Sequence, residues 1–229
     1  MKLSIIIPCY NEQSTIKEIV HKINLQVNIN KEIIIIDDNS TDRTREILEK
    51  EVRDKVNKII FNDKNYGKGY SIRRGIENAS GDYTLIQDAD LEYDPNDYKK
   101  LLSPIINGNA DVVYGSRFIG GDEKRVLYFW HTMGNKFLTL ISNIFSNLNL
   151  TDMEVGYKLF KTNLLKSINL KEDRFGFEPE ITAKISKKNI KIYEVGISYF
   201  GRKYSEGKKI TWKDGFSALR CIFKYNLFY

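Results

Sequence analysis

Residues 32–42 read Glu-Ile-Ile-Ile-Ile-Asp-Asp-Asn-Ser-Thr-Asp, and this segment indicates the architecture more clearly than any other part of the chain. Four consecutive isoleucines without polar alternation are typical of a strand that is buried on both faces of a parallel sheet. Residues 3–12 repeat the pattern, because Ile5-Ile6-Ile7 leads through Pro8 into Tyr10-Asn11-Glu12. Both segments are therefore predicted to be buried strands that end in polar side chains.

Short β-branched runs alternate with segments of helical period up to about residue 115, which predicts a parallel sheet covered by helices. The predicted strands are 3–7, 32–36, 58–61, 83–87 and 110–114, and the later crossover helices are 41–52, 69–78 and 95–106. No internal repeat or clear linker interrupts the chain. The predicted fold class is α/β, with a mixed, mostly parallel sheet flanked by helices in a single domain over residues 1–229.

Two amphipathic segments follow the alternating region. Apolar and aromatic side chains recur at three- and four-residue intervals in residues 125–150, and this spacing predicts a long helix. Residues 212–229 are predicted to form a second amphipathic helix, in which Lys213, Arg220 and Lys224 accompany the aromatic positions. Each helix can pack against the sheet or lie on a lipid surface, where one basic residue contributes about 1 kcal/mol on an anionic leaflet.

Composition excludes several classes of protein. The chain has 229 residues, of which 41% are hydrophobic and 12% aromatic, so disorder and fibrous repeats are not expected. The 36 basic and 30 acidic residues give a net charge of +6, which favours a basic face for phosphates or an anionic surface and no nucleic-acid partner. A lysine-rich solvated surface explains the same surplus.

Cysteine usage and the amino-terminal sequence indicate a cytoplasmic protein. Cys9 and Cys221 are far apart and have no ligand spacing around them, so neither a zinc site nor a disulfide framework is expected. The apolar run before Pro8 is too short for a signal sequence, and no apolar stretch approaches the ~18 residues that span a bilayer. Any relation to a membrane is therefore expected to be peripheral.

Polar clusters follow the predicted strands, at the edge where open parallel sheets bind ligands. In residues 8–12, Tyr10 can stack on a base and Glu12 can accept from a ring or sugar, although a capped strand-to-helix turn explains the cluster as well. After the second strand, Asp38 can bind a base or ribose. Residues 65–69 lack the spacing of a P-loop or a dinucleotide fingerprint, and their glycines either present N–H groups to an anion or form a tight turn.

The sharpest cluster is Asp88-Ala89-Asp90-Leu91-Glu92, which follows the predicted strand 83–87. In an extended segment Asp88, Asp90 and Glu92 point the same way, so their carboxylates gather on one side. Two like charges 4 Å apart cost about 4 kcal/mol at an effective dielectric of 20, so this cluster needs a cation or raised pKa values. Hard oxygen ligands suit Mg²⁺ or Mn²⁺, and the same ion would bind the oxygens of a diphosphate.

These motifs occur together in a characteristic order. In chain order they are residues 6–12, 34–42, 65–69, 79–83, 88–92 and 115–117. The series resembles the inverting family 2 glycosyltransferases, which have the Rossmann-like GT-A fold of nucleotide-diphospho-sugar transferases. Within that family, residues 151–158, 177–180 and 199–209 are most similar to the dolichol-phosphate mannose synthase branch, and the resemblance covers residues 3 to about 215.

The resemblance implies a role for individual positions. The residues that match nucleotide-sugar contacts or phosphate-holding positions are Pro8, Tyr10, Glu12, Ile36, Asp38, Asp88, Ala89, Asp90, Arg117, Arg202 and Lys208. Asp90 and Glu92 match metal ligands, and Asp88 lies beside them as a third candidate. On the acceptor side, Arg117 and Arg202 can hold a phosphate. Arg125 and Asn135, at the start of the predicted long helix, are additional candidates for that role.

Three positions depart from the family pattern. Asn39 stands where glycine is usual, and asparagine tolerates the left-handed backbone that this position requires. Glu92 stands where glutamine is frequent, and its extra negative charge favours a metal ion. Glu206-Gly207 before Lys208 differs from the more usual serine, which leaves the register of Lys208 and Lys209 open.

The nature of the acceptor decides the predicted chemistry. The leaving nucleoside diphosphate gains charge during an inverting transfer, and the metal at Asp90 and Glu92 would stabilise it. A polyprenyl phosphate acceptor is already anionic and needs cations such as Arg117 rather than a strong base. A saccharide hydroxyl needs a base, for which Asp152 is the first candidate and Glu178 and Glu180 are weaker ones. Asp90, Arg117 and Asp152 are thus the predicted catalytic residues.

The preferred hypothesis is a metal-dependent transferase that moves a sugar from a nucleoside-diphosphate donor to a polyprenyl phosphate at the cytoplasmic face of a membrane. In it, residues 1–117 bind the nucleotide sugar and residues 118–215 form the acceptor side. Lipid access requires either the amphipathic helices or a membrane-protein partner. The alternatives are a transferase that acts on a saccharide hydroxyl in cell-surface polysaccharide synthesis, and a non-catalytic nucleotide-binding module.

Overall fold

A mixed sheet organises the part of the chain that the computed structural model describes, residues 1–120, 123–126, 128–202, 206–207 and 212–228. Its strands are β1 Leu3–Cys9, β2 Lys31–Asp37, β3 Lys58–Phe61, β4 Tyr83–Ile86, β5 Val112–Ser116, β6 Lys158–Lys161 and β7 Ile192–Gly196. The strand order is β3-β2-β1-β4-β6-β5-β7. Strand β6 runs antiparallel to both of its neighbours, and the other neighbouring pairs are parallel.

Helices flank this sheet. In chain order they are α1 Ile16–Asn24, α2 Thr44–Ile47, α3 Lys68–Asn78, α4 Tyr98–Ile106, α5 Phe129–Ser146, α6 Thr162–Lys166, α7 Phe177–Ser186 and α8 Trp212–Leu227. A π-helical turn at Leu48–Val52 and a 3₁₀ turn at Arg53–Lys55 prolong α2, and a 3₁₀ turn at Pro95–Asp97 precedes α4. The predicted α/β class with a mostly parallel sheet is confirmed.

The second half of the sheet differs from the sequence prediction. The fifth strand begins at Val112 instead of residue 110. The sequence pattern missed two strands, β6, which lies between β4 and β5, and β7, which pairs with β5 at the edge of the sheet. Strand β6 is short and begins with Lys158, so it lacks the apolar continuity of the first strands. Lys158 is nevertheless fully buried. Its ammonium donates to the carbonyl oxygens of Met153, at 3.0 Å, and of Val155. These hydrogen bonds satisfy a charge that would otherwise be costly to bury.

The isoleucine runs 5–7 and 33–36 form the centre of the core, as their sequence predicted. Their side chains are almost completely buried between the sheet and its helices. Helix α3 lies close against these strands, since a Cβ atom at Gly75 would overlap Ile6 Cγ2 and lie 3.0 Å from Ile36 Cδ1. Glycine at this position therefore lets α3 approach the sheet closely.

Glu32 connects three segments of the chain. Its carboxylate accepts hydrogen bonds from Lys2 Nζ at 2.6 Å, from Ser4 Oγ at 2.5 Å and from the Ser80 amide at 2.6 Å. Burial raises the pKa of this carboxyl group, but the hydrogen bonds outweigh burial and lower the pKa to about 2. The charged carboxylate thereby holds the loop between α3 and β4 against the first two strands.

Replacing Glu32 by glutamine is expected to lower the free energy of unfolding by about 2 to 3 kcal/mol at pH 7, because charged hydrogen bonds contribute roughly 1.5 to 3 kcal/mol. Since the folded-state pKa lies below the ordinary value of 4.5, the contribution is complete well above that value and is lost as the pH falls toward 2. Urea denaturation of the wild-type chain and of the Glu32→Gln variant at pH 7 and pH 3 measures this contribution. The control is Glu18→Gln, which changes an exposed side chain. A difference of the same size at both pH values would contradict the expectation.

Helices α5 and α8 pack side by side, with the Phe145 and Phe223 rings in edge-to-face contact at 5.0 Å. The predicted helix 125–150 is shorter in the structure, and its buried residues are the small polar Thr139, Ser142 and Ser146. Much of its apolar stripe therefore faces solvent instead of the core. The exposed apolar side chains, which we call the apolar face, are Phe129, Trp130, Met133, Phe137, Leu140, Ile144 and Phe145 on α5 and Phe216, Phe223 and Leu227 on α8. Within the described ranges, no helix is both long and apolar enough to cross a bilayer.

Candidate active site

The carboxyl ends of β1, β2 and β4 lie next to one another, because these strands are parallel neighbours. Pro8 and Tyr10 lie at this edge and are half-buried, and Asp38 follows β2. The side chains of Ile36 and Ala89 are buried, at 0% and 3% exposure. A ligand at this edge would therefore meet Ile36 and Ala89 through their backbone atoms.

Residues 89–92 form a turn instead of the extended segment that the alternating acids predicted. Leu91 has a φ of 62°, in the left-handed region, and the Glu92 amide donates to Asp90 Oδ1 at 3.2 Å. The expectation that strand alternation aligns Asp88, Asp90 and Glu92 is therefore wrong. The strand ladder of β4 ends before this segment, and a local side-chain hydrogen bond shapes the turn.

Arg202 joins the acids of this turn to Glu12. Its guanidinium contacts Asp90 Oδ2 at 2.8 Å, Glu12 Oε2 at 3.3 Å and Glu92 Oε1 at 3.6 Å. The Arg202 amide donates to Glu92 Oε1 at 2.8 Å, and the Tyr199 hydroxyl donates to Glu92 Oε2 at 3.0 Å. We call Glu12, Asp90 and Glu92 the acidic cluster, because all three share one guanidinium.

The acidic cluster carries more negative charge than Arg202 neutralises. Burial raises the pKa of Asp90 to about 7, and the charges of Asp88 and Glu92 add to the increase, whereas Arg202 opposes it. Within the described chain, Arg202 Nε is buried without a hydrogen-bond partner, and no three acidic, histidine or cysteine side chains form a ready-made metal site. The donor atoms and charge nevertheless fit a hard divalent ion, with Asp90 and Glu92 as its ligands. The metal itself remains a prediction.

Asp38 supports the loop that leads into α3. Its carboxylate accepts from the Gly67 amide at 2.6 Å, from the Tyr66 amide at 3.0 Å and from Asn62 Nδ2 at 2.7 Å. These hydrogen bonds engage both oxygens of the Asp38 carboxylate. The contact between Asp38 and a base or ribose stays a prediction. The adjacent Asn39 has a φ of 60°, which confirms that asparagine accommodates the left-handed backbone here.

Arg117 and Asp152 form a buried bidentate ion pair. The Arg117 Nε and NH2 atoms contact the two Asp152 oxygens at 2.6 Å each, and the Arg117 amide donates to Oδ2 at 3.0 Å. Asp152 is completely buried, and the guanidinium carbon lies 5.2 Å from the centroid of the Tyr199 ring. Both oxygens of the Asp152 carboxylate are therefore engaged by Arg117. The role of Asp152 as a general base accordingly stays a prediction, and its contacts make it the anchor of Arg117.

The remaining predicted acceptor-side residues have different surroundings. Arg125 precedes α5 and pairs with Glu206 at 2.8 Å, which links two neighbouring loops. Asn135 lies on α5, and its Oδ1 atom is buried with no hydrogen-bond partner among the described residues. Lys208 lies outside the described residues, as does Lys209.

A second charged group beside the acidic cluster was not recognised from the sequence. Lys68, the first residue of α3, contacts Asp88 Oδ1 at 2.8 Å and Glu178 Oε1 at 3.1 Å. The sequence places Lys68 only in the loop of residues 65–69 and indicates Glu178 only as a weaker candidate base. No local signal marks the group, because its members belong to three separate segments of the chain.

Comparison with known proteins defines the fold and the family of this chain. Glucosyl-3-phosphoglycerate synthase from Mycobacterium tuberculosis, in complex with Mn²⁺, uridine diphosphate and glucosyl-3-phosphoglycerate, matches with a TM-score of 0.77 and 17% identity, over 98% of this chain and 80% of that one. The fold is thus that of the GT-A glycosyltransferases, as predicted. The family model for Glycosyl transferase family 2 matches residues 4–168. The chain belongs to glycosyl transferase family 2, which confirms the predicted class of enzyme.

Two relatives indicate the branch of the family. The dolichol-phosphate mannosyltransferase of Pyrococcus furiosus is 30% identical over 227 residues, which are 98% of this chain and 63% of that protein. The UDP-N-acetylglucosamine–dolichyl-phosphate N-acetylglucosaminyltransferase of Methanococcus voltae is 30% identical over 231 residues, 93% of this chain and 91% of that protein. The chain therefore spans less than two thirds of the first relative. The predicted resemblance to the dolichol-phosphate branch is confirmed.

Proposed function

We propose that this chain is an inverting glycosyltransferase that moves a sugar from GDP-mannose or a UDP-sugar to a polyprenyl phosphate, with Mg²⁺ or Mn²⁺ as cofactor. The observation that carries the proposal is the acidic cluster around Arg202, at the strand edge where ligands of such sheets bind. Arg117 lies close by, since Tyr199 contacts both Arg117 and Glu92. The two relatives named for dolichol phosphate support the acceptor.

The two halves of the chain have separate tasks in this proposal. Residues 1–117 bind the nucleotide sugar, and residues 118–215 shape the acceptor side. Asp90 and Glu92 would hold the divalent ion, which would neutralise charge on the leaving diphosphate. Arg117 and Arg202 donate charged hydrogen bonds to phosphate oxygens, which favour a planar guanidinium.

A phosphate acceptor suits the Arg117–Asp152 pair better than a hydroxyl acceptor does. A phosphate oxygen is already anionic at neutral pH, so cations that bring two phosphate groups together matter more than a base. A saccharide hydroxyl would require a base, yet both oxygens of Asp152 are held by Arg117. The contacts of this pair therefore favour the lipid phosphate over the saccharide.

The apolar face of α5 and α8 gives such an enzyme access to a lipid. Exposed apolar side chains on two packed helices, tryptophan and phenylalanine among them, are typical of an interaction surface. Arg220 and Lys224 on α8 are paired with Glu172 at 2.6 and 2.9 Å, so apolar burial supplies more of the membrane contact than charge does. The proposed location is the cytoplasmic face of a membrane, with peripheral attachment or a membrane-protein partner.

The test combines the chain and Mn²⁺ with labelled GDP-mannose, UDP-glucose or UDP-N-acetylglucosamine and polyprenyl phosphate in phospholipid vesicles. One donor is expected to yield an acid-labile glycolipid in a Mn²⁺-dependent manner, and the chain is expected to float with the vesicles. Transfer to a saccharide hydroxyl without any glycolipid would instead support polysaccharide synthesis. Binding of a nucleoside diphosphate without transfer from any donor would indicate a binding module. In a thermal-shift screen, a ligand at 100 times its Kd stabilises the fold by about 2.7 kcal/mol.

A further inference from the structure

Glu194 is a half-buried acid on β7, beside the segment that carries Asp152. Its carboxylate accepts from the Thr151 amide at 2.9 Å through each oxygen, and from the Asp152 amide at 3.2 Å. The Thr151 hydroxyl donates to the same carboxylate at 3.3 Å. Glu194 thereby fixes a two-residue segment to the strand at the edge of the sheet.

The segment that Glu194 fixes is also the one that holds Arg117. Asp152 binds the Arg117 guanidinium through both carboxylate oxygens, at 2.6 Å each, and accepts from the Arg117 amide at 3.0 Å. The hydroxyl oxygens of Thr151 and Ser116 lie 2.6 Å apart, so the segment contacts the residue that precedes Arg117 as well. A continuous set of hydrogen bonds therefore connects Glu194 to the Arg117 guanidinium.

The chemistry of Glu194 suits these hydrogen bonds in spite of an electrostatic cost. Burial raises the pKa of its carboxyl group, and the nearby charge of Asp152 adds to the increase, whereas the donors of Thr151 and Asp152 oppose it. An ionised carboxylate offers acceptors only, but a glutamine amide would turn its NH₂ group toward the Thr151 amide. The hydrogen bonds at this position therefore require an acid.

We infer that Glu194 is a positioning residue for Arg117, because it fixes the Asp152 carboxylate that sets where the guanidinium can meet a phosphate oxygen. The inference rests on the proposed function, in which Arg117 donates to phosphate, and goes beyond it by assigning a residue that acts through two others. The donors of a guanidinium have fixed directions, so recognition of a phosphate tolerates little displacement. A shift of Asp152 is passed on to Arg117, since both carboxylate oxygens hold it.

The first test is kinetic. Glu194→Gln is expected to lower kcat/KM for sugar transfer by about 10- to 100-fold, because a small misplacement of a group that binds the substrate can cost roughly 100-fold. Glu194→Asp keeps the charge and should retain more activity than Glu194→Gln. The matched control is Glu49→Gln, which changes an exposed acid of the π-helical turn and should leave kcat/KM unchanged. Thermal denaturation shows whether each variant is folded.

A double-mutant cycle with Arg117→Lys separates positioning from a general structural effect. Lysine keeps the charge but not the bidentate contact with Asp152, so little remains for Glu194 to position. Adding Glu194→Gln to Arg117→Lys should therefore lower kcat/KM by less than about threefold further. Two independent losses would multiply instead.

Modification of arginine by phenylglyoxal gives a readout that does not depend on sugar transfer. Mass spectrometry reports the rate for each arginine, and Arg117 should react faster in Glu194→Gln than in the wild-type chain. Arg45 is the internal reference, because it contacts the buried Asp37 at 2.6 Å and should react at its wild-type rate. Glu194→Asp provides the same comparison if Glu194→Gln does not fold.

Three results would overturn the inference while leaving the proposed function intact. They are unchanged kinetics in folded Glu194→Gln, losses that multiply in the double-mutant cycle, and equal acceleration of the reactions of Arg117 and Arg45. A wild-type chain that transfers sugar from none of the three donors would overturn the proposed function itself. The modification rates would then still show whether Glu194 holds Arg117 in place, so the two failures are distinguishable.

Discussion

Replacing Asp90 by asparagine is expected to reduce kcat/KM for sugar transfer by about 10²- to 10³-fold, since this is roughly the cost of removing a single preorganised electrostatic group at a reacting centre. Asp90 contacts Arg202 at 2.8 Å and has a pKa raised to about 7 by burial and by Asp88 and Glu92. A neutral side chain of the same shape leaves this turn intact. It removes the charge with which Asp90 is proposed to hold a divalent ion, so the leaving diphosphate would lack that stabilisation.

Calorimetry and kinetics together check this expectation. The wild-type chain should bind its nucleoside diphosphate more tightly with Mn²⁺ than with a chelator, and the Asp90→Asn variant should show no such difference. Thermal denaturation should give a melting temperature close to that of the wild-type chain. The control is Asp54→Asn, which changes an exposed acid in the 3₁₀ turn that follows α2 and should leave activity unchanged. Full transfer activity in the Asp90→Asn variant would rule out the assigned metal ligand.

Replacing Arg117 by alanine is expected to lower the free energy of unfolding by about 3 to 5 kcal/mol and to abolish transfer. The loss is large because Asp152 is completely buried, and removal of one partner from a buried ion pair leaves an uncompensated charge in the core. The exposed pair of Arg43 and Glu46 supplies the comparison. Arg43→Ala should change stability by less than about 1 kcal/mol, because water already solvates both groups.

A double-mutant cycle shows whether the loss of stability comes from the ion pair between Arg117 and Asp152. The Arg117→Ala, Asp152→Ala variant should be more stable than the sum of the single losses predicts, because it leaves no charge unpaired. Arg117→Lys keeps the charge but not the bidentate geometry, so it should recover stability only in part. Urea denaturation with matching fluorescence and circular-dichroism transitions gives the energies. A loss below about 1 kcal/mol in Arg117→Ala would mean that solvent reaches Asp152.

The first half of the fold was predictable because its strands are locally distinctive. Runs 5–7 and 33–36 have apolar side chains on both faces, and only a strand in the middle of a covered parallel sheet buries both faces at once. Strand β6 was missed because its burial depends on hydrogen bonds to residues outside the strand. Lys158 is satisfied by carbonyl oxygens of the preceding loop, and no pattern of apolar residues records such hydrogen bonds.

The local backbone of the candidate site and the cations around its acids were not predictable from the sequence. The acids after β4 do lie at the strand edge, but they lie in a turn, and Leu91 with its left-handed backbone sends the chain away from the extended path. Of the cations that neutralise these acids, Arg202 was expected only from the resemblance to the family, and the pairing of Lys68 was not expected. Lys68 in particular looked like part of a loop for phosphate, whereas it bridges two carboxylates.

Local pattern alone established that this chain is an α/β protein with acidic residues at the ends of its parallel strands. It could do so because residues close in sequence share one strand or one turn, and their burial follows from side-chain type. Only the tertiary structure determined which charged side chains are in contact, because Coulomb attraction depends on distance in space and not on separation in sequence. Arg202, for example, contacts Asp90 although the two residues are 112 positions apart in the sequence. It also left Glu178 Oε2 and Glu154 Oε1 buried without a hydrogen-bond partner among the described residues, which only the packing of separate segments could reveal.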